Sequence, residues 1–326
     1  MGNKGKNGYA FLKLSIGRAS TFLVFLFICL LFFTLERIFS PNPRFLTLDN
    51  ISNILRQVSV YAILAVGETF VILTAGIDLS VGSVLALCGA ISAGLSLSHP
   101  LWLAILSGIL LGVAIGTFQG LIIAKGGVPP FVATLGTMAI ARSLTLVYTK
   151  GALISPLPKG FQFLGSGYLF HELFSLPIII TLFIYIIAYV VLSRTAFGRR
   201  IYAIGGNEEA SRLSGINVSL YKLYIYAISG MTAALGGLVM TARLNCAHPQ
   251  AGLGYELDAI AAVVIGGTSL MGGEGGVGGT LIGALIMGVL NNGLNLLEVN
   301  PFWQQAVVGS LIIIAVLLDR LRKRRD

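Results

Sequence analysis

Apolar stretches of about 20 residues, the length a helix needs to cross the hydrocarbon of a bilayer, recur along nearly this whole chain. Ten can be marked, at roughly 20–39, 51–75, 81–98, 101–124, 130–149, 174–193, 220–242, 256–270, 278–297 and 303–319, the eighth being short. Backbone groups have no water to bond in lipid, so such runs satisfy themselves as helices. The expected fold class is an all-α integral membrane protein, polytopic, with about 10 transmembrane helices in one domain over residues 1–326. Only 11% of the residues are charged, against about a quarter in soluble domains. No stretch is left over for a soluble domain. The 41 glycines suit helices that pack closely in lipid.

The formal charge of +9 sits at the ends of the runs, as orientation signals do, which argues against nucleic acid as a partner. Lys4, Lys6, Lys13 and Arg18 precede a run from Thr21 to Leu35. That run is long for a signal peptide and no small-residue cleavage site follows it, so it reads as a retained first helix. With ten spans and a cytoplasmic start, 15 of the 22 basic residues fall inside and six outside, with Arg142 within a span. Both termini are then cytoplasmic. The C-terminal run Asp319–Arg325 anchors that topology and suits anionic membrane lipid. Cys29, Cys88 and Cys246, like His99, His171 and His248, are scattered. They give neither a disulfide framework nor metal-ligand spacing.

One segment breaks the apolar pattern. RTAFGRR at 194–200 leads into GGNEEASRLSGIN at 205–217, within a polar loop of about 194–220. Asn207 is placed to N-cap a helix that starts at Glu208, with Glu208 and Glu209 in the first turn, where the helix dipole favours carboxylates. Gly215 ends it. The residues fit an ordinary capped loop helix at the membrane surface, or a docking element for a soluble partner.

Polar residues inside the runs are costly in lipid and face protein or water. Glu68 and Thr69 lie in the second run, Gln119 in the fourth, and Asn291, Asn292 and Asn295 late in the ninth. They either line a polar translocation pathway or bond neighbouring helices to one another. Arg142 would pair with Glu68 if their helices touch. Asp78 either caps the third helix or forms a cytoplasmic gate. The glycines between Gly266 and Gly283 serve a tight re-entry and close packing. They lack the G-x-x-x-x-G-K-[ST] phosphate loop, so this chain is expected to bind no ATP and no cofactor. Among catalytic patterns, no His cluster and no G-x-S-x-G elbow is present, and catalytic residues and metal ligands are both read as none. GIDLSVG at 76–82 echoes GTSLMGG at 267–273, each after a run containing Val-Ile. Two related five-helix halves would explain the echo.

Glu209-Ala210-Ser211-x-x-x-Gly215 resembles the E-A-A-x-x-x-G loop by which permeases of ABC importers engage their ATPase, with Ser for the second Ala. GETFVILTAGIDLSVGSVLAL (67–87), PPFVATLGTMAIARSLTLVYT (129–149), YAIGGNEEASRLSGINV (202–218) and the glycine-rich stretch 254–297 are similar, in the same order, to ribose/galactose/xylose-type sugar permeases. Glu68, where many such permeases are neutral, and Arg142-Ser143, where Arg-Gly is common, depart from the pattern.

The resemblance implies the transmembrane permease subunit of an ATP-driven monosaccharide importer in a bacterial cytoplasmic (inner) membrane. It implies ATP-binding subunits below, an extracytoplasmic sugar-binding protein above, and a second permease copy or paralogue alongside. Asn207, Glu208, Glu209, Ala210, Arg212 and Gly215 would then form the ATPase-coupling element. Gly254, Glu256 and Asp258 fall in an external loop. With His248 they either touch the binding protein or are ordinary loop polarity. The competing class is a stand-alone ion-coupled secondary transporter of a small polar solute, with Glu68, Asp78 and Arg142 as its coupling charges.

Overall fold

The computed structural model describes residues 4–169 and 175–323. His171, Arg324 and Arg325 lie outside the described residues. The helices are α1 Lys4–Phe39, α2 Leu48–Leu73, α3 Val81–Ser96, α4 Leu101–Ala124, α5 Pro130–Thr149, α6 Lys159–Ser166, α7 Leu176–Arg194, α8 Ala196–Gly206, α9 Glu208–Leu213, α10 Val218–Leu244, α11 Tyr255–Ile265, α12 Val277–Leu296 and α13 Pro301–Lys323. Extended pairing among the described residues is limited to two isolated bridges, Ile154 with Ala247 and Tyr168 with Ser175.

Each apolar run holds a helix, but the helices are unequal. Among the described residues, seven are long and apolar enough to cross a membrane: α1 over Thr21–Phe39, α2, α4, α5, α7, α10 and α12. The 16 residues of α3 and the 11 of α11 rise only about 24 and 16 Å, short of the ~30 Å hydrocarbon core. The chain is a multi-pass helical membrane protein.

The α2 helix is the axis of the bundle. From Val58 to Leu73 every residue is buried, against α10, α12, α11 and α7. The closest seam joins α4 to α10. Gly108, Gly112, Gly116 and Gly120 recur every four residues and so form one stripe on α4. A methyl added at Gly112 would overlap the Gly230 carbonyl of α10, and one at Gly116 the Tyr226 carbonyl. Bare backbone lets the two helices approach until main-chain atoms touch, which is how small residues drive association where lipid removes the hydrophobic drive.

The connections sort into two faces. One carries α8 and α9, the C-terminal end of α2 and the loop 266–276. Gly273 N–H donates to the Leu73 carbonyl there at 3.0 Å, and a methyl on Gly205 would overlap that same carbonyl. The opposite face carries α6, whose Phe161, with Leu157 just before the helix, clusters with Leu238, Ala242 and Ala247.

The two short helices explain the shape of the interior. After α2 the chain turns back on itself. Gly76 N–H bonds to Val71 O and Ala75 N–H to Ile72 O, with Ala75 at φ 59°. The end of α11 repeats this: Thr268 N–H bonds to Val263 O and Gly267 N–H to Val264 O, with Gly267 at φ 89°. Both are left-handed caps that satisfy the last carbonyls of a helix. From the first cap, residues 74–80 climb irregularly beside α2 to the start of α3. From the opposite face, residues 245–254 descend irregularly to the start of α11. The two helix starts meet, and a methyl on Gly82 would overlap the Gly252 carbonyl.

The start of α11 is therefore not in a surface loop, as the sequence suggested for Gly254, Glu256 and Asp258. Tyr61, 13 residues into α2, contacts Tyr255 with ring centroids 4.7 Å apart. That depth is about 20 Å below the α6 face.

Candidate functional site

The polar segment folds as two short helices at an angle. Asn207 is the C-cap of α8 and the N-cap of α9, its Oδ1 accepting from Ala210 N–H at 2.9 Å. At the other end Ile216 N–H bonds to Ser211 O, Gly215 N–H bonds to Arg212 O, and Gly215 sits at φ 83°, again a left-handed cap. One residue thus serves two helix ends, its backbone N–H closing α8 on the Ala203 carbonyl and its side chain opening α9. Asn207→Ala is expected to cost about 1 kcal/mol, read as faster amide exchange at residues 208–211 with the spanning helices unaffected.

The two glutamates divide. Glu208 turns toward the bundle, accepting from Lys222 Nζ at 2.8 Å and Arg212 Nη2 at 3.1 Å. Lys222 lies 14 residues away on α10, a separation that gave the sequence reading no sign of the pair. Such half-exposed pairs contribute up to about 1 kcal/mol, and they tie the start of α9 to α10. Glu209 is exposed and has no ion-pair partner among the described residues. Beside it Leu213 is 85% exposed. The outward surface of α9 is thus a carboxylate next to a bare leucine, on a helix held from behind. That face has the chemistry of a protein-docking surface: an apolar anchor beside an unpaired charge. Next to it, an open groove of about 370 Å³ is lined by Lys125, Pro129, Glu208, Arg212 and Lys222 among others.

The interior polar residues gather from separate helices. Asp78 accepts from Ser80 N–H at 2.9 Å, Ser80 Oγ at 2.7 Å and Ser229 Oγ of α10 at 2.7 Å. Glu68 Oε1 accepts from Asp78 N–H at 3.1 Å, and Gln119 Nε2 of α4 donates to Ser80 Oγ at 2.6 Å. Thr69 shares a 2.9 Å hydrogen bond with Thr280 of α12. Glu68 and Thr69 are fully buried, and Asp78 and Gln119 are 1% exposed. This network ties the climbing segment 74–80 to α2, α4 and α10. It supplies the hydrogen bonds that irregular backbone inside a membrane requires.

Asn292 exchanges two hydrogen bonds with Asn50 of α2, at 3.0 and 2.9 Å. Asn295 accepts from Gln304 of α13 at 2.8 Å, and Asn291 is half-buried. Four of the six residues expected along a pathway, Glu68, Thr69, Gln119 and Asn292, are therefore sealed inside the chain and bonded between helices. Arg142 does not meet Glu68. Its Nη1 donates to the carbonyls of Pro249 at 3.0 Å and Ala251 at 2.8 Å, holding the descending segment. Ser229 and Ser80 were not singled out in the sequence. Small hydroxyl residues in apolar runs carry no signal until packing places them against a carboxylate.

A bundle of apolar helices long enough to span a bilayer, with a short polar helix facing outward on one side, defines the class: multi-pass membrane proteins. The chain belongs to one such family, whose model, described as the permease component of branched-chain amino acid transport systems, matches residues 50–316. It is 52% identical over 286 residues to the ribose import permease protein RbsC of Haemophilus influenzae, covering 85% of this chain and 87% of that one. To RbsC of Bacillus subtilis it is 53% identical over 283 residues, 86% and 87% of the two chains. The xylose transport system permease protein XylH of Escherichia coli is 36% identical over 358 residues, 91% and 90%. No solved structure matches the chain.

Proposed function

We propose that this chain is the transmembrane subunit of an ATP-driven monosaccharide importer in a bacterial inner membrane. Its similarity over most of its length to permeases named for ribose and xylose import carries the choice of sugar over amino acid. The mounting of α9 supports the coupling role. Asn207, Glu208, Arg212 and Gly215 set the shape and pitch of the element, while Glu209, Ala210 and Leu213 are its contact surface. An ATPase subunit that grips this surface moves α8 and α9 together. Through Gly205 that motion reaches the end of α2 and the loop 266–276.

Lys125, Arg194, Arg199, Arg200, Arg212 and Lys222 line the α8–α9 side. Together with the basic termini they support a cytoplasmic assignment for that face and both termini. The opposite face then meets the sugar-binding protein, and a second permease copy or paralogue completes the pathway. The short helices α3 and α11 start side by side at depth and run to opposite faces, an arrangement that supports two five-helix halves of inverted topology.

The test is co-purification with a candidate ATP-binding subunit of a ribose import system, followed by D-ribose uptake into proteoliposomes that also hold the binding protein. Glu209→Arg is expected to abolish both ATPase association and uptake, with the permease itself folded. Uptake by wild type without ATPase, collapsing with an ion gradient, would replace this reading with the secondary transporter.

A further inference from the structure

Two stretches of irregular backbone lie at membrane depth, and they differ in one respect. Residues 74–80 are enclosed apart from half-buried Ile77 and Leu79 and an exposed Ala75 at the turn. The second, residues 245–254 leading into the first turn of α11, is not enclosed. Gln250 is exposed, Leu253 is 67% exposed, and Leu257 just beyond is 47% exposed.

Two rulers place this segment. Gly252 packs on Gly82, 14 residues from the α6-face end of α3, and Tyr255 packs on Tyr61, 13 residues from that end of α2. Each separation is about 20 Å along a helix, within a hydrocarbon core of ~30 Å. Non-helical backbone at such depth is tolerated only where protein or water covers it, never where it faces lipid.

The charged side chains at this level favour water. The Glu256 carboxylate has no cation within ion-pair distance among the described residues, although Arg142 attracts it at longer range. Arg142 is only about half-buried and spends its hydrogen bonds on Pro249 and Ala251. Charged groups inside a membrane face a bundle interior or a water-filled cavity, and they mark solute paths.

We propose that residues 248–256 line the aqueous translocation path at mid-membrane. The Gln250 side chain and the Glu256 carboxylate there hydrogen-bond the hydroxyls of the passing monosaccharide. Arg142 acts as a positioning residue that holds the strip in place from α5. A neutral polyol suits this surface, because it exchanges hydrogen bonds with water for hydrogen bonds to an amide and a carboxylate without bringing a charge into the membrane.

This inference rests on the monosaccharide-permease reading, and the experiment separates the two. In a background with Cys29, Cys88 and Cys246 replaced, single cysteines are placed at Leu253→Cys, Leu257→Cys and, as a lipid-facing control on α7, Ile186→Cys. The assembled complex in membranes is treated with a charged, membrane-impermeant thiol reagent. Leu253→Cys and Leu257→Cys are expected to react far faster than Ile186→Cys, and D-ribose with its binding protein is expected to slow them. Labelling no faster than the control would overturn the path assignment. ATPase co-purification from the same membranes reports on the permease reading independently.

Glu256→Gln is expected to lower D-ribose uptake about tenfold, the size of one lost charge-assisted hydrogen bond. It should change the ratio of D-ribose to D-xylose uptake with ATPase association intact. An unchanged rate and ratio would remove Glu256 from the sugar contact.

Discussion

Gly116→Leu leaves no folded protein in the membrane. The Cα of Gly116 lies where α4 meets the main chain of α10, and any side chain there runs into the Tyr226 carbonyl and the backbone beside it. Overpacking against movable side chains costs about 1–3 kcal/mol. Here the obstacle is backbone, and the only relief is to part the two helices. Parting them also pulls Ser229 away from Asp78 and strands a buried carboxylate. Against a total stability of about 5–15 kcal/mol, the combined loss is decisive. The measurement is membrane accumulation and a monodisperse gel-filtration peak, with Gly136→Leu on α5 as the control. Gly136 has open space where its side chain would go, so that variant accumulates normally. If Gly116→Leu accumulates equally well, the seam is not as close as described.

Gly205→Val separates docking from transmission. Gly205 is the point where α8 rests on the bundle, against the Leu73 carbonyl and the Gly273 amide. A branched side chain there lifts α8 off the end of α2 and breaks the Gly273–Leu73 hydrogen bond. The exposed surface of α9 is untouched, so the ATPase still co-purifies and still hydrolyses ATP. D-ribose uptake falls to the level of vesicles lacking ATPase. This pattern differs from that expected for Glu209→Arg, which loses the partner as well as uptake. Normal uptake in Gly205→Val would show that motion enters the bundle elsewhere, the remaining covalent route being the start of α10.

The helices themselves were legible in the sequence because lipid makes helix formation a local matter. Each run must satisfy its own backbone, so length and apolarity suffice to find it. The capped helix at 208–213 was equally legible, since Asn207, two first-turn carboxylates and Gly215 act within a few residues of one another. Long-range pairings were not legible. Glu208 with Lys222, Asp78 with Ser229, and Arg142 with the carbonyls of Pro249 and Ala251 depend on which helices pack together. The expectation that Arg142 meets Glu68 failed for that reason. The depth of Glu256 was hidden too. A chain that leaves a helix, descends irregularly and starts another has the same polar look as a surface loop.

By itself, then, the sequence determined that this is a helical membrane protein with one capped polar segment in its middle. Apolar run length, glycine content and capping residues act over a turn or two of chain. Only the tertiary structure decided which polar residues are sealed between helices and which stretch of backbone is left open at mid-membrane. Those outcomes are set by the α4–α10 glycine seam and by the meeting of two short helices at Gly82 and Gly252, contacts between residues far apart in the chain.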